Sequence, residues 1–309
     1  MSTTTADGTF THPALFYRSQ DEYADRTVAF VREGLAAGEP VAVAVPGPNL
    51  ELVRTGLGGD ARDVTFLDMT DAGRNPGRII PGVLRAFADA HARVRVRIVG
   101  EPVWSGRSAA EYPACAQHEA LINAAFAGRP ATILCPYDET RLAPDVLADA
   151  LLTHPTVVAR GRERVSEAYD WQAVVARYNE ALTRPPDAGV LAFGAGELPE
   201  VRRFAVGRAA SLGLAGQRLQ DAELAVAELT TNSVVHGGGG GTLAVWAEAG
   251  QVVCEVRDTG RLTDPLAGRR PPERGQIGGR GLLLVHYVAD LVRVHATDAG
   301  TAVRFYLDV

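Results

Sequence analysis

Ala225-Val226-Ala227-Glu228-Leu229-Thr230-Thr231-Asn232-Ser233-Val234-Val235-His236 decides the fold of the last third of this chain. The stretch 222–235 reads as a helix on which Glu228 and Asn232 stand four residues apart, on one face. Leu224, Leu229 and Val235 lie on other faces and are expected to serve the core. A carboxylate and an amide at that spacing suit metal-assisted chemistry. The amide oxygen is a hard ligand for Mg2+, and the carboxylate can orient or deprotonate an attacking hydroxyl. Glu-x-x-x-Asn alone is a common helical pattern, so its meaning depends on what surrounds it.

Downstream, Val252 to Arg257 alternates as a strand and runs into Asp258-Thr259-Gly260. A strand-end Asp can accept the exocyclic amine of adenine, and Gly260 lets a flat base approach the backbone. The same tripeptide also ends strands in a plain Asx turn. The loop 261–278 carries prolines and arginines and closes with Gly278-Gly279-Arg280-Gly281-Leu282, where glycines lead into a helix. Free N–H groups at a helix N-terminus favour phosphate, and Arg280 is placed to touch a terminal phosphate. An ordinary surface loop is the plainer reading. His236 reads as a cationic cap at its helix end more than as a catalytic group, and Gly237–Gly241 as a helix stop and turn. Helices at 197–211, 219–236 and 282–288, with strands at 190–193, 243–248, 252–258, 291–296 and 302–309, imply an α+β two-layer sandwich with a mixed or antiparallel sheet.

In order, spacing and context, these three pieces resemble the N, G1 and G2 boxes of the GHKL (Bergerat) ATP-binding family over residues 190–309. The resemblance is closest to its anti-sigma-factor serine kinases, given the compact lid, the Gly-Arg-Gly-Leu opening of the last helix and the segment Gly300-Thr301-Ala302-Val303-Arg304-Phe305. It implies ATP and Mg2+ as cofactors. Asn232 would hold Mg2+, Glu228 would be the catalytic base, and Asp258 would read adenine. Gly260 would line the base pocket, Gly279 and Gly281 would cradle phosphates with Arg280 beside them, and Thr301 would sit near adenine. The same resemblance implies phosphorylation of Ser or Thr on an anti-sigma-factor antagonist of the STAS type, with a sigma factor as second partner, and allows a homodimer. The helical hairpin that carries the phosphoacceptor His of sensor kinases is not found: His154 precedes a proline, and 165–182 contains no His. Two other readings stand beside this one, a non-catalytic ATP-binding adaptor and a histidine-kinase-like signalling protein.

A chain of 309 residues is long for one ordinary domain, and its 46% hydrophobic and 22% charged residues supply two soluble cores. A net charge of -6 without a basic stripe argues against direct nucleic-acid binding. No apolar run approaches the roughly 18 residues of a membrane helix, and the polar start Met1–Asp7 lacks a secretory pattern, so a cytoplasmic protein is expected. Three scattered cysteines, Cys115, Cys135 and Cys254, suggest reduced thiols, neither a disulfide framework nor a zinc site. Cys115 and Cys135 are expected to line the core. The chain contains no lysine: all 31 basic residues are arginine. A Walker A loop and a protein-kinase fold both need a lysine on the phosphates, so both are excluded.

The first half alternates apolar strands (41–45, 64–67, 94–99, 131–135) with helices (21–37, 81–92, 109–127), which implies an α/β domain with a mostly parallel sheet and helices on both faces. Ligands of such sheets sit beyond the carboxyl ends of the strands. Asp68, Glu101 and Asp138 fall there, with Trp104 and Tyr137 close by, as a candidate sensory pocket; helix capping is the competing explanation for the acids. The stretches His12-Pro13-Ala14-Leu15-Phe16-Tyr17, Gly100-Glu101-Pro102-Val103-Trp104, Cys135-Pro136-Tyr137-Asp138 and His154-Pro155 resemble the MEDS (methanogen/methylotroph sensory) domain, itself similar to RecA/KaiC-like ATPases. Here Pro46-Gly47-Pro48-Asn49 stands where a phosphate loop would be, so the RecA-like fold is expected to be degenerate. The expected layout is a MEDS-like domain over 10–158, a helical linker over 159–187 and a GHKL domain over 188–309.

Overall fold

Val41 to Val45 is buried at every position, the signature of a strand covered on both faces. In the computed structural model, which describes residues 9–271 and 279–309, the chain divides between Tyr178 and Asn179 into two compact units.

The first unit runs β1 (Phe10–Thr11), β2 (Pro13–Tyr17), α1 (Gln20–Ala36), β3 (Val41–Val45), α2 (Gly47–Leu57), β4 (Val64–Asp68) and α3 (Met69–Ala72). It continues through α4 (Pro76–Ile79), which passes by a π turn into α5 (Arg85–Ala90), then β5 (Val96–Gly100), α6 (Tyr112–Ala125), β6 (Ala131–Asp138) and α7 (Pro144–Thr153). It closes with β7 (Thr156–Ala159), β8 (Arg162–Val165) and α8 (Trp171–Arg177). Among the described residues the sheet has eight strands in the order β4-β3-β5-β6-β2-β7-β8, with β1 also on β6. All pair in parallel except β7 with β8. Helix α1 starts where Ser19 accepts from the Glu22 N–H, and buries Tyr23, Thr27, Val28 and Val31 at helical spacing. That stripe packs on Val41, Val43 and Val45 together with Leu50, Val53 and Leu57 of α2.

The second unit runs β9 (Gly189–Gly194), α9 (Leu198–Ser211), α10 (Gly216–His236), β10 (Gly240–Glu248), β11 (Gln251–Asp258), α11 (Gly281–Val288), β12 (Leu291–Thr297) and β13 (Gly300–Asp308). Among the described residues its sheet has five strands, β12-β13-β11-β10-β9, all antiparallel. One face (Leu243, Val245, Val252, Cys254, Phe305, Leu307) packs on Val201, Ala205, Ala225, Val226, Leu229 and Val285 of the helices. On the other face lies Glu255, fully buried, among Arg184, Arg257 and Arg304. The segment before β9 covers it: Arg304 donates to the Thr183 carbonyl at 2.6 Å, Arg257 donates to the Leu182 carbonyl, and Arg293 pairs with Glu180 at 2.8 Å. Asn179 donates to the Ala296 carbonyl at 2.7 Å and accepts from its N–H at 2.9 Å.

Three expectations change. The span 159–187, expected as a helical linker, contains one short helix and is shared between the units: β8 completes the first sheet, and Val174 of α8 packs on Ala116 and Ala120 of α6. Its remainder, from Asn179, belongs to the second unit. Leu224 and Val235 do not serve the core; they are 39% and 64% exposed, and Ala222, Ala225, Val226 and Leu229 form the buried stripe instead. The glycine run is a turn only in part, because Gly240 and Gly241 already pair in β10 with β9. There an added Cβ would collide with the carbonyls of Phe193 and Arg257.

Candidate functional site

The second unit gathers its polar residues where α10, the end of β11 and the start of α11 converge. Glu228 and Asn232 are half-buried on α10. Ser233, one residue on, donates from Oγ to Asp258 Oδ2 at 2.6 Å, while Asp258 Oδ1 accepts the Gly260 N–H at 2.8 Å. The carboxylate at the strand end is therefore held from both sides. Thr301 Oγ1 donates to the Gly260 carbonyl at 2.8 Å and accepts the Leu262 N–H at 3.2 Å, which fixes the backbone around Gly260.

Gly281 brings the third piece in. It opens α11, and a Cβ there would lie 2.7 Å from Glu228 Oε2 and 3.1 Å from Asn232 Nδ2. A larger residue there would have to push the Glu228 carboxylate, and slightly the Asn232 amide, away from the start of that helix. Gly279 adopts φ 73°, which L side chains seldom take, so the approach to α11 also depends on glycine. Gly279 and Arg280 are exposed beside it. Gly278 and most of the preceding arginine and proline loop, residues 272–278, lie outside the described residues.

Carboxylates, an amide, a hydroxyl and the unpaired N–H groups of a helix start form a donor set that fits a magnesium-bound nucleotide. Asn232 would hold the ion, Asp258 and Thr301 the base, and Gly279, Arg280 and Gly281 the phosphates. Bound there, Mg2+ and ATP would supply a polarised phosphoryl group. Three participants escaped the sequence reading. Ser233 positions Asp258, and Gly237 packs so closely that a Cβ would lie 2.5 Å from the Asp258 carboxyl carbon. Gly300, at φ 145°, would clash with the Asp258 carbonyl if it carried a side chain. Gly260 has a packing role as well. The place of its missing Cβ is filled by the backbone of His236 and Gly237, 2.6 Å away, so close helix packing requires it. We expect Gly281→Ala to weaken ATP affinity about ten-fold or more, equivalent to roughly 1.4 kcal/mol. The thermal midpoint should hardly move, because the position is partly exposed and its φ is ordinary. Nucleotide titration alongside thermal unfolding checks both halves.

Of the five residues of the expected sensory pocket, Glu101 and Asp138 lie close enough for their charges to interact, and each of the five has partners of its own. Asp68 caps α3, accepting from the Thr70 N–H and hydroxyl at 2.9 and 2.7 Å. Asp138 accepts from Thr140 in the same way at 2.8 and 2.6 Å, so both acids are used in turns. Trp104 is half-buried with the Arg107 guanidinium 3.9 Å over its ring. Tyr137 is buried edge-on against His154 and Phe16. Glu101, 3% exposed, is closed over by Asn49 at 2.9 Å and the Tyr23 hydroxyl at 3.1 Å. Burial pushes its carboxyl up to about 8, partly offset by those two donors. Neutral Glu101 binds a proton that the unfolded chain has lost, so its contribution is complete below about pH 4.5 and gone above about pH 8. Stability should fall with rising pH across that window, and Glu101→Gln should flatten the fall in urea melts taken at pH 5, 6.5 and 8.

Among the described residues, no helix is long and apolar enough to cross a membrane. Residues 11–155 match the family model for the methanogen/methylotroph, DcmR sensory (MEDS) domain, and residues 193–307 match that for the histidine kinase-like ATPase domain. No curated protein matches the chain. The chain is therefore a MEDS sensory domain joined to a histidine kinase-like ATPase domain, the architecture of an ATP-binding signalling regulator.

Proposed function

We propose that this protein is an ATP- and Mg2+-dependent serine/threonine-protein kinase with anti-sigma activity, which phosphorylates a STAS-type antagonist and binds a sigma factor. The observation that carries the reading is the contact of Glu228 and Asn232 with the opening of α11, beside the Asp258 that Ser233 holds. In this reading Glu228 takes the proton of an incoming hydroxyl, and Asn232 keeps the ion next to it. Among the described residues ahead of the ATPase domain, His154 precedes a proline and 165–182 contains no His, which favours transfer to a hydroxyl of another protein.

In this reading the MEDS domain modulates the kinase. Its mostly parallel sheet supports a degenerate RecA/KaiC-like ancestry, in which Pro46-Gly47-Pro48 opens α2 directly and no lysine is available for phosphate. The full chain incubated with γ-labelled ATP, Mg2+ and a candidate STAS-type antagonist should yield acid-stable phosphoserine or phosphothreonine on the antagonist. Acid-labile phosphohistidine would refute the assignment, and ATP binding without any transfer would make the protein an adaptor.

A further inference from the structure

The first unit buries four potential metal ligands against one another. His12 precedes β2, Glu119 lies on α6, Cys135 on β6, and His154 ends α7; each is 1% exposed or less. Their ligand atoms all lie within 4.8 Å of one another. His12 Nε2 is 3.3 Å from Cys135 Sγ and 3.5 Å from Glu119 Oε2, and His154 Nε2 is 3.1 Å from the same carboxylate oxygen. A tetrahedral ion with bonds of about 2.0–2.3 Å holds its ligand atoms roughly 3.3–3.6 Å apart. Three of the six pairs are already near that spacing, and the rest lie within 4.8 Å.

The hydrogen bonds around the rings fix which nitrogens face inward. His154 Nδ1 meets the Ala150 carbonyl at 2.8 Å, and a carbonyl can only accept, so the proton is on Nδ1. His12 Nδ1 meets Asn123 Oδ1 at 3.3 Å. That amide is oriented by its own donations to the carbonyls of Thr153 and Ala120 at 2.8 and 3.1 Å. Both rings therefore present bare Nε2 lone pairs to Glu119 and Cys135. Outer partners of this kind are what set the tautomer and aim of metal-bound histidines.

Glu119 supplies the second argument. Neither of its oxygens accepts a well-directed hydrogen bond, and His154 Nε2 is likewise unsatisfied, although all three atoms are buried. A carboxylate oxygen and a bare imidazole nitrogen 3.1 Å apart repel unless a positive charge lies between them. Among the described residues no arginine pairs with Glu119, and the chain has no lysine. The local sequence explains how two histidines come to share the space. His12-Pro13 and His154-Pro155 stand at the starts of the neighbouring strands β2 and β7, which pair Pro13 with Thr156. A residue before proline is held extended, as His154 is at φ -117°, ψ 124°.

We propose that His12, Glu119, Cys135 and His154 form a closed four-ligand site for one zinc-class divalent ion in the sensory domain. Two imidazoles, a thiolate and a carboxylate suit Zn2+ and disfavour the oxygen-loving Mg2+ and Ca2+. On binding, the Cys135 thiol releases its proton to solvent, and the thiolate and carboxylate together balance the ion's two charges. The buried centre becomes neutral. The inference is independent of the kinase reading, since no residue is shared between the two sites.

The test is cobalt substitution of the full chain, stripped with chelator and titrated in excess Mg2+. One Co2+ per chain is expected, with a thiolate-to-cobalt charge-transfer band and the intense visible bands of four-coordinate cobalt, all displaced by Zn2+. Cys135→Ser should abolish the charge-transfer band, and both Cys135→Ser and His154→Gln should weaken Zn2+ binding at least 100-fold, since even outer-shell partners are worth about 10–100-fold. Circular dichroism of the metal-free variants checks that they fold. If they do not, the wild-type spectrum decides alone: the band upholds the site and its absence overturns it. Wild-type affinity retained in either folded variant also overturns it, leaving a carboxylate and imidazoles that share a buried proton.

Discussion

Glu228→Gln is expected to lower phosphoryl transfer by roughly 10²–10⁴-fold, the usual worth of a positioned general base, while ATP affinity changes little. The amide keeps the shape of the carboxylate beside Gly281 and removes only its capacity to take a proton. Asn232, one helical turn away on the same face, still has its oxygen for the ion. A fall in kcat without a matching fall in nucleotide affinity is the mark of a group that acts on the reacting hydroxyl. Initial rates with an antagonist substrate, paired with calorimetric ATP titration, separate the two quantities. Unchanged turnover would remove Glu228 from the chemistry; loss of affinity and turnover together would make it part of the nucleotide cradle.

The second large effect is on stability. Glu255→Ala should destabilise the ATPase domain by about 3–5 kcal/mol, the usual cost of leaving buried charge without its partner. Glu255 is fully buried on the face of β11 turned away from the helices. Burial alone would raise its carboxyl, but Arg257 and Arg304 hold it below the ordinary range. Its removal strands Arg304, which is 6% exposed and stacked 4.8 Å from the Trp246 ring. Arg184 and Arg257 are more open and can turn to water. For the same reason, Glu255→Leu with Arg304→Leu should recover much of the loss, because apolar replacements can substitute for a buried pair. Urea unfolding of the full chain, with single and double variants compared, checks both statements. A cost below about 1 kcal/mol for the single change would mean that water reaches the cluster.

The two sites differ in how much of each was legible in the residues. The candidate ATP site has parts that are local in sequence. Glu228 and Asn232 share one helix, Asp258 ends one strand, and glycines mark one turn, so each fragment carries its own periodicity. What stayed hidden there was packing: Ser233, Gly237 and Gly300 acquire their roles only when α10 and β13 meet Asp258. In the first unit, helix α2 was missed because Pro46-Gly47-Pro48 reads as a loop, although proline is at home in a first helical turn. Strand β2 was missed because it is short and begins with proline. The rule that ligands lie beyond the carboxyl ends of strands drew attention to Asp68, Glu101 and Asp138, where turn and helix capping accounts for two of the three. The His–Cys–Glu cluster lies elsewhere, at the beginnings of β2 and β7 and within β6. Its four members come from positions 12, 119, 135 and 154, a separation that carries no motif. The reading of Cys135 as an ordinary core thiol is right about burial but misses its neighbours.

One side chain near the junction has a consequence for how this domain meets other proteins. Strand β12 forms a margin of the five-stranded sheet, where unpaired backbone groups could receive a strand from another molecule. The Asn179 amide satisfies both the N–H and the carbonyl of Ala296, imitating a short piece of strand and blocking that place. A peptide that lengthened the sheet past Ala296 would have to displace Asn179.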